Sequence, residues 1–361
     1  MASPVSITVN GANHVDFKSA TVTLSMETIA SGFSFEFSDK WLRSNLGQMP
    51  FHTGDPVQVL LHGKKVIDGY ISSLPISYDA NSHSIGVTGR SWTGHLIDCS
   101  AVHKTGSWRN ATLLVIARDL CEPFGITVKA DDPSILAELS QPFPRWAIED
   151  EETVAECLRR AAKMRALFMM TDSGKNLIFT RASKLVQPGE LKYGKNILQA
   201  SRDDNFDERF SYYLVKSQNA GTDTWYADNA GKGFFRVDDP EVASFRPMII
   251  MSDGQGRRPD LEKRAKWERN TRAGRSRRIT YTVRGFRNEV NSQRWPVNEL
   301  IAVDDPLLDT KDSLLIISAQ FTYSTENGEK TQLVLGAPQQ FDVLAPEPPK
   351  PKGRKKKKIS W

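Results

Sequence analysis

The chain has 361 residues, of which 39% are hydrophobic and 25% charged; with a mean hydropathy of −0.43, this is the composition of a globular protein that can bury two or three cores. No apolar run is long enough for a membrane-spanning helix, so no stable membrane insertion is expected. Of the 48 basic residues, seven sit in Lys350–Trp361, and without them 41 basic residues face 43 acidic ones, so the net charge of +5 belongs to the tail and the body is no basic nucleic-acid-binding domain.

The start, MASPVSITVNG, lacks the basic and apolar regions of a secretory signal, and cytoplasmic synthesis is expected. Cys99, Cys121 and Cys157 are widely spaced and odd in number. They form no disulfide framework and read as reduced thiols. In Val5–Trp41 the period is two, with Ile7 and Val9, then Val22 and Leu24, then Phe33, Phe35 and Phe37 on one side of strands. Gly54–Arg90 continues as strands, broken by turn signals at His62-Gly63 and around Asp79–Asn81. Residues 1–100 are expected to form a first β-barrel domain.

The period then lengthens. Leu113, Ile116, Ala117 and Leu120 predict a helix capped by Asn110. Val154, Leu158, Ala161 and Ala162 predict a second, acidic at its start and basic at its end. A hairpin around Asp172–Gly174 follows. Residues 101–190 therefore read as an α+β middle domain. From Leu191 the β pattern resumes, and 191–344 is expected to be a second β-barrel. Residues about 219–275 form a loop and helix insertion in it; Leu261–Gly274 is helical and Gly274 ends it. Ala345–Lys352 is a Pro-rich linker, and 345–361 as a whole reads as a disordered tail. The expected fold class is α+β, mainly β, with two related antiparallel barrels.

One pattern recurs about 245 residues apart. Ile71–Gly89 runs β, polar turn, β, glycine, and Ile317–Gly336 repeats that order at similar length. Each follows two apolar runs, Val57–Leu61 and Val66–Ile71 in one case, Leu300–Val303 and Leu314–Ile317 in the other. Identities are few, so duplication and the general likeness of β sequences both remain open.

Candidate chemistry is sparse. Gly89–Gly94 misses the nucleophile-elbow pattern, because Thr93 stands where a glycine is required; Ser91 reads as a strand-end turn. His95, Asp98, Cys99 and His103 are ligand types at a spacing that fits no zinc pattern. Asp-Asp-Pro at 131–133, 238–240 and 304–306 is read as a turn opener rather than an acid/base pair. Gly254–Gly256 has no phosphate-loop ending and reads as a loop. No catalytic residue, metal or cofactor is expected. The strongest charged feature is Arg257–Arg278, with ten basic residues against three acidic ones. Arg257, Arg258, Arg264, Arg269, Arg272, Arg275, Arg277 and Arg278 are candidate subunit or partner contacts, preferred over phosphate tracking because the body is slightly acidic. Lys355, Lys356, Lys357, Lys358 and Trp361 are a candidate arm for an acidic surface or a partner.

Several collinear blocks carry a resemblance. Gly54–Asp79 with Val87–Ser100, then Leu191–Gln218, then Arg246–Met251 with Arg264–Arg287 and Trp295–Asp305, resemble the contractile-tail baseplate hub protein of Mu-like phages, which is related to the T-even hub and to the N-terminal part of type VI secretion spike proteins. The resemblance implies a homotrimer in the virion, assembled in the host cytoplasm. Its partners would be the central spike protein, the tail tube or its initiator, and other baseplate proteins, with DNA passing transiently through a central hole. Two related barrels in each of three chains would match a sixfold tube on one face and a threefold spike on the other. The alternatives are a nucleic-acid-binding β-barrel protein and the hub of a pyocin or type VI-like spike. No lysozyme-like unit is visible, so lytic activity is not implied.

Overall fold

The computed structural model describes residues 3–37, 51–79, 83–217, 233–252 and 258–341. Arg257, the Gly254–Gly256 segment and the tail with Lys355–Lys358 and Trp361 lie outside them. In the N-terminal region the strands are β1 (Val5–Val9), β2 (Ala12–His14), β3 (Phe17–Ser25), β4 (Gly32–Phe37), β5 (Pro56–Leu61), β6 (Lys64–Ser73), β7 (Ile76–Tyr78) and β8 (His83–Ser91). The middle region holds helix α1 (His95–Asp98), β9 (Ser107–Thr112), α2 (Leu113–Cys121), β10 (Thr127–Ala130), α3 (Leu136–Ser140), β11 (Pro142–Ala147), α4 (Val154–Met164), β12 (Phe168–Thr171) and β13 (Asn176–Thr180). The C-terminal region holds β14 (Val186–Lys192), β15 (Ile197–Asp204), β16 (Tyr212–Ser217), β17 (Phe234–Asp238), β18 (Pro247–Ser252), α5 (Arg258–Arg275), β19 (Arg277–Arg284), β20 (Leu300–Asp305), β21 (Thr310–Ser324) and β22 (Gly328–Gly336). The fold is α+β and mainly β.

Alternation writes the strands. β1 buries Val5, Ile7 and Val9, and β4 buries Phe33, Phe35 and Phe37, while the residues between them face outward. The β5–β6 hairpin turns on His62 (φ 47°) and Gly63 (φ 75°), two successive left-handed residues as a tight I′ turn requires. These strands join those of the C-terminal region in one 14-stranded sheet, ordered β15-β19-β22-β21-β3-β4-β8-β6-β5-β1-β2, with β20 beside β21, β14 beside β20 and β7 beside β8. One apolar core runs through both regions, from Ile7 and Phe35 to Tyr281, Phe286 and Phe321.

The middle region has its own core. α2 and α4 pack with Trp108, Phe143, Trp146 and the sheet β10-β13-β12. The cap of α2 differs from expectation: Asn110 lies in β9 at φ 50°, and Thr112 accepts from the Val115 amide at 3.4 Å. Pairing of β9 with β11 carries the strand past Asn110 and delays the helix. α4 opens with a capping box, Thr153 and Glu156 bonding each other's backbone amides. Arg160 forks onto Glu152, with two 2.9 Å bonds, and lies 4.2 Å over the Trp146 ring.

Two further expectations are corrected. The stretch read as loop-rich contains β17 and β18, which flank β16 in a three-stranded sheet; α5 covers it through Leu261 and Ala265 against Val215 and Val237. Gly274 lies within α5, not after it. A Cβ there would stand 1.9 Å from the Gln340 Cβ, so the glycine permits close packing rather than a cap.

Candidate assembly interface

The recurrent pattern is a duplicated sheet. The N-terminal copy places its strands side by side as β3-β4-β8-β6-β5, and the C-terminal copy as β15-β19-β22-β21-β20. Both run in the same chain order, and the four pairings share their register, except that β5·β6 shifts between Val59 and Leu60 where β20·β21 runs on without a shift. Phe33 faces Gly89 in one copy and Ile279 faces Leu335 in the other. Pro56 faces Tyr70, as Leu300 faces Leu315. Two register shifts recur at matching sites as well. In β6·β8 the register shifts between Ile71 and Ser73, in β21·β22 between Ile316 and Ser318. In β3·β4 it shifts between Phe17 and Ser19, in β15·β19 between Ile197 and Gln199. Chance likeness of hairpins does not place two bulges at matching sites. The structural match sets Ile71 against Ile316, one residue before the Ile317 suggested by the sequence, and so corrects which side chains share a face.

Within the chain the copies meet edge to edge. β3 pairs with the second half of β21, Val22 opposite Phe321 and Ala20 opposite Tyr323. Val22, Ala20 and Phe321 are buried there. Two side-chain contacts bind the copies. The Arg278 guanidinium donates to both Glu27 oxygens at 2.7 and 2.5 Å, with Arg275 3.7 Å away. His62 Nε2 stands 2.9 Å from Glu329 Oε2. Burial pushes the Glu27 carboxyl up, but the Arg278 hydrogen bonds and the charges of Arg278 and Arg275 outweigh it and leave it below the usual carboxylate range.

The arginine segment follows α5 into β19. Arg264 and Arg272 pair with Glu268 at 2.6 and 3.3 Å. Arg272 also donates to the Glu208 carbonyl at 3.3 Å. Arg277 lies 3.3 Å from Asp204, and Arg269 donates to Asn270 Oδ1 at 3.1 and 3.0 Å. Arg258 begins the helix. The structure therefore does not gather these arginines into one basic patch: Arg275 and Arg278 reach the N-terminal copy, and Arg264 and Arg272 hold α5. Sequence reasoning missed Glu27, the acid that joins the two copies, since nothing near it in sequence marks it.

The other chemical candidates resolve into packing. Ser91 is buried; its Oγ accepts from the Ser31 amide at 3.1 Å and lies 2.8 Å from Thr93 Oγ1. His95 stacks on Tyr70 and His103 on Trp108, each at 4.3 Å, while Asp98 pairs with Arg90. Among the described residues no three His, Cys, Asp or Glu side chains group as metal ligands. Each Asp before Pro opens a turn: Asp132 accepts from the Ser134 amide at 2.7 Å, Asp239 from Glu241 at 3.2 Å and Asp305 from Leu307 at 3.0 Å. Burial pushes the Cys121 thiol up to about 12, and, against the Trp146 hydrogen bond, Cys157 up to about 11, so neither is a ready nucleophile.

A duplicated, mainly antiparallel β-sheet module whose copies pair edge to edge defines the class of fold. Three family profiles match consecutive parts of the chain: the N-terminal domain of the Mu phage baseplate assembly protein GpP-like family at residues 4–91, the second domain of baseplate hub protein gp44-like proteins at 93–181, and the fourth domain of GpP at 259–344. Baseplate hub protein gp44 of Escherichia phage Mu is 31% identical over 348 residues, 95% of this chain and 90% of that protein. A 43 kDa tail protein of prophage MuSo2 from Shewanella oneidensis has the same fold at a TM-score of 0.83 and 30% identity, over 94% of this chain and all of the other. A tail protein from Neisseria meningitidis matches at 0.77 and 21% identity, over 92% and 96%. The chain belongs to the Mu-like baseplate hub protein family.

Proposed function

We propose that the chain forms a homotrimeric hub ring in the baseplate of a contractile tail, adapting the sixfold tail tube to the threefold central spike. The observation that carries this reading is the matched pairing of the two copies: three chains supply six equivalent sheet modules, so one ring presents sixfold order on one face and threefold order on the other. The function is structural, with no catalytic step, and it is exercised in the virion after assembly in the host cytoplasm. Tube and spike proteins are the partners, and the central opening passes DNA. Support comes from membership of the hub family and from the modular fold. The four-part division at residues 100, 190 and 344 belongs to the same proposal: the first and third parts build the ring, and the middle part and α5 with its small sheet decorate it.

The arginines are assigned to contacts within and between chains, since Arg264, Arg272, Arg275, Arg277 and Arg278 each have a carboxylate partner. That leaves few guanidinium groups to follow a phosphate backbone. Light scattering with electron imaging tests the proposal. A mass about three times the 40.5 kDa chain and a ring with a hole are expected; a monomer, or a compact dimer, rejects it.

A further inference from the structure

We infer that neighbouring chains of the ring are joined by a second edge-to-edge strand pairing, in which β15 of one copy adds to the β6–β7 edge of the next in the register that β3 and β21 use within the chain. This rests on the trimer reading above. The duplication supplies the template. β3 corresponds to β15, and β21, which spans Thr310–Ser324, corresponds to β6 and β7 taken together. The match extends through β7: Ile76 faces Ile85 as Phe321 faces Thr331, and Ser77 faces Ser84 as Thr322 faces Lys330. Among the described residues only one of the two possible copy-to-copy edges is used. β3 pairs on both sides, with β4 and β21, whereas β15 pairs with β19 alone among the described strands. Likewise β21 has β22 and β3 beside its second half, whereas β7 has β8.

Burial repeats the asymmetry. Phe321 is 1% exposed and Val22 0%, while Ile76, at the position matching Phe321, is 56% exposed. Leu198, in β15, is 57% exposed. A head-to-tail contact of this kind closes into a ring when its rotation allows, and a second copy of this chain is the occupant because the chain already carries both halves of the joint.

The hydrogen-bond phase fits. Met26 N donates to Ile317 O and Thr325 N to Lys18 O, so the bonded pairs between them are Leu24–Ala319, Val22–Phe321 and Ala20–Tyr323. Transferred to the matching positions, these become Asp204–Leu74, Arg202–Ile76 and Ala200–Tyr78. Asn205 N donates to Ser276 O, which turns the backbone groups of Ala200, Arg202 and Asp204 away from β19. Gly86 N donates to Pro75 O, which turns Pro75 toward β8 and the groups of Leu74 and Ile76 away from it. The proline, which lacks an N–H, thus falls where the joint needs none. Pro75 and the Arg202–Asp204 pair also discourage pairing with foreign strands, as edge prolines and charges do.

The test is a cysteine pair in the full chain, Ser77→Cys with Ser201→Cys. These exposed positions face each other as a non-bonded pair in the inferred register, where Cα atoms come to about 4.5 Å, within disulfide reach. Mild oxidation is expected to yield covalent dimers and trimers on non-reducing gels, while Ser77→Cys with Asp203→Cys stays single-chain. Ile76→Pro removes an outward N–H, and is expected to lower the scattering mass to that of one chain without moving the thermal midpoint. A wild-type trimer that cross-links in neither register, or only in the slipped one, overturns this joint and leaves the trimer reading standing. A wild-type chain that is monomeric at every concentration overturns both.

Discussion

The two sheet copies share a backbone and little else. Where the N-terminal copy has Gly69 and Gly89, the C-terminal copy has Leu314 and Leu335 at the matching positions. The reason is local. A Cβ on Gly69 would stand 1.9 Å from the Arg90 carbonyl oxygen, and one on Gly89 would stand 2.2 Å from that of Tyr70 and 2.3 Å from the Phe33 ring. The first copy closes its strands tightly on Phe33, while the second fills that space with leucine. Strand pairing is a backbone property and survives exchange of side chains; packing is a side-chain property and must be solved afresh in each copy.

Forcing one copy to resemble the other should have the largest effect. Gly89→Leu is expected to cost about 4 kcal/mol or more, read as loss of a cooperative denaturant transition; near-native stability would show that the two packings are interchangeable. The reverse truncation, Leu335→Ala, should cost about 3 kcal/mol with an unchanged denaturant slope.

Severing the contact between copies comes next. Glu27→Gln removes the charge that holds Arg278, and about 2 kcal/mol is expected to be lost. The pH dependence has a definite sign. The Glu27 carboxyl is held below its ordinary range, so its contribution is full above that range and is lost as the pH falls from there through the lowered value of the folded state. Urea midpoints of the wild type should therefore fall more steeply on acidification than those of Glu27→Gln; parallel curves would remove Glu27 from the joint.

The smallest effects test what surrounds the copies. Gly274→Ala gains about 1 kcal/mol of helix propensity but meets Gln340, and a net loss of about 1 kcal/mol is expected; a gain would show that Gln340 yields freely. Thr153→Ala should remove about 1 kcal/mol through the lost cap of α4, and should leave the assembly mass untouched because α4 belongs to the middle core.

Much of this was legible in the chain. Alternation at Ile7, Val9, Phe33, Phe35 and Phe37 marked core strands, and Leu113–Leu120 and Val154–Ala162 marked helices, because period follows from backbone geometry alone. Asn110 misled because a good capping residue is equally at home at positive φ inside a strand. Gly274 misled because a glycine required by a neighbour 66 residues further along, Gln340, looks the same as one that ends a helix. The candidate site was half visible: the arginines stood out by density and their partners Asp204 and Glu208 lie in the acidic stretch Asp203–Glu208, while Glu27 was a single acid far away in sequence.

The amino-acid order by itself determined the β-rich class, the helical middle region and the outline of a repeat, all of which depend on local period and residue type. Only the tertiary structure decided the register of that repeat, the meeting of β3 with β21 and the Arg278–Glu27 contact. Such pairings join residues hundreds of positions apart, and their free energy depends on which edges come together in space.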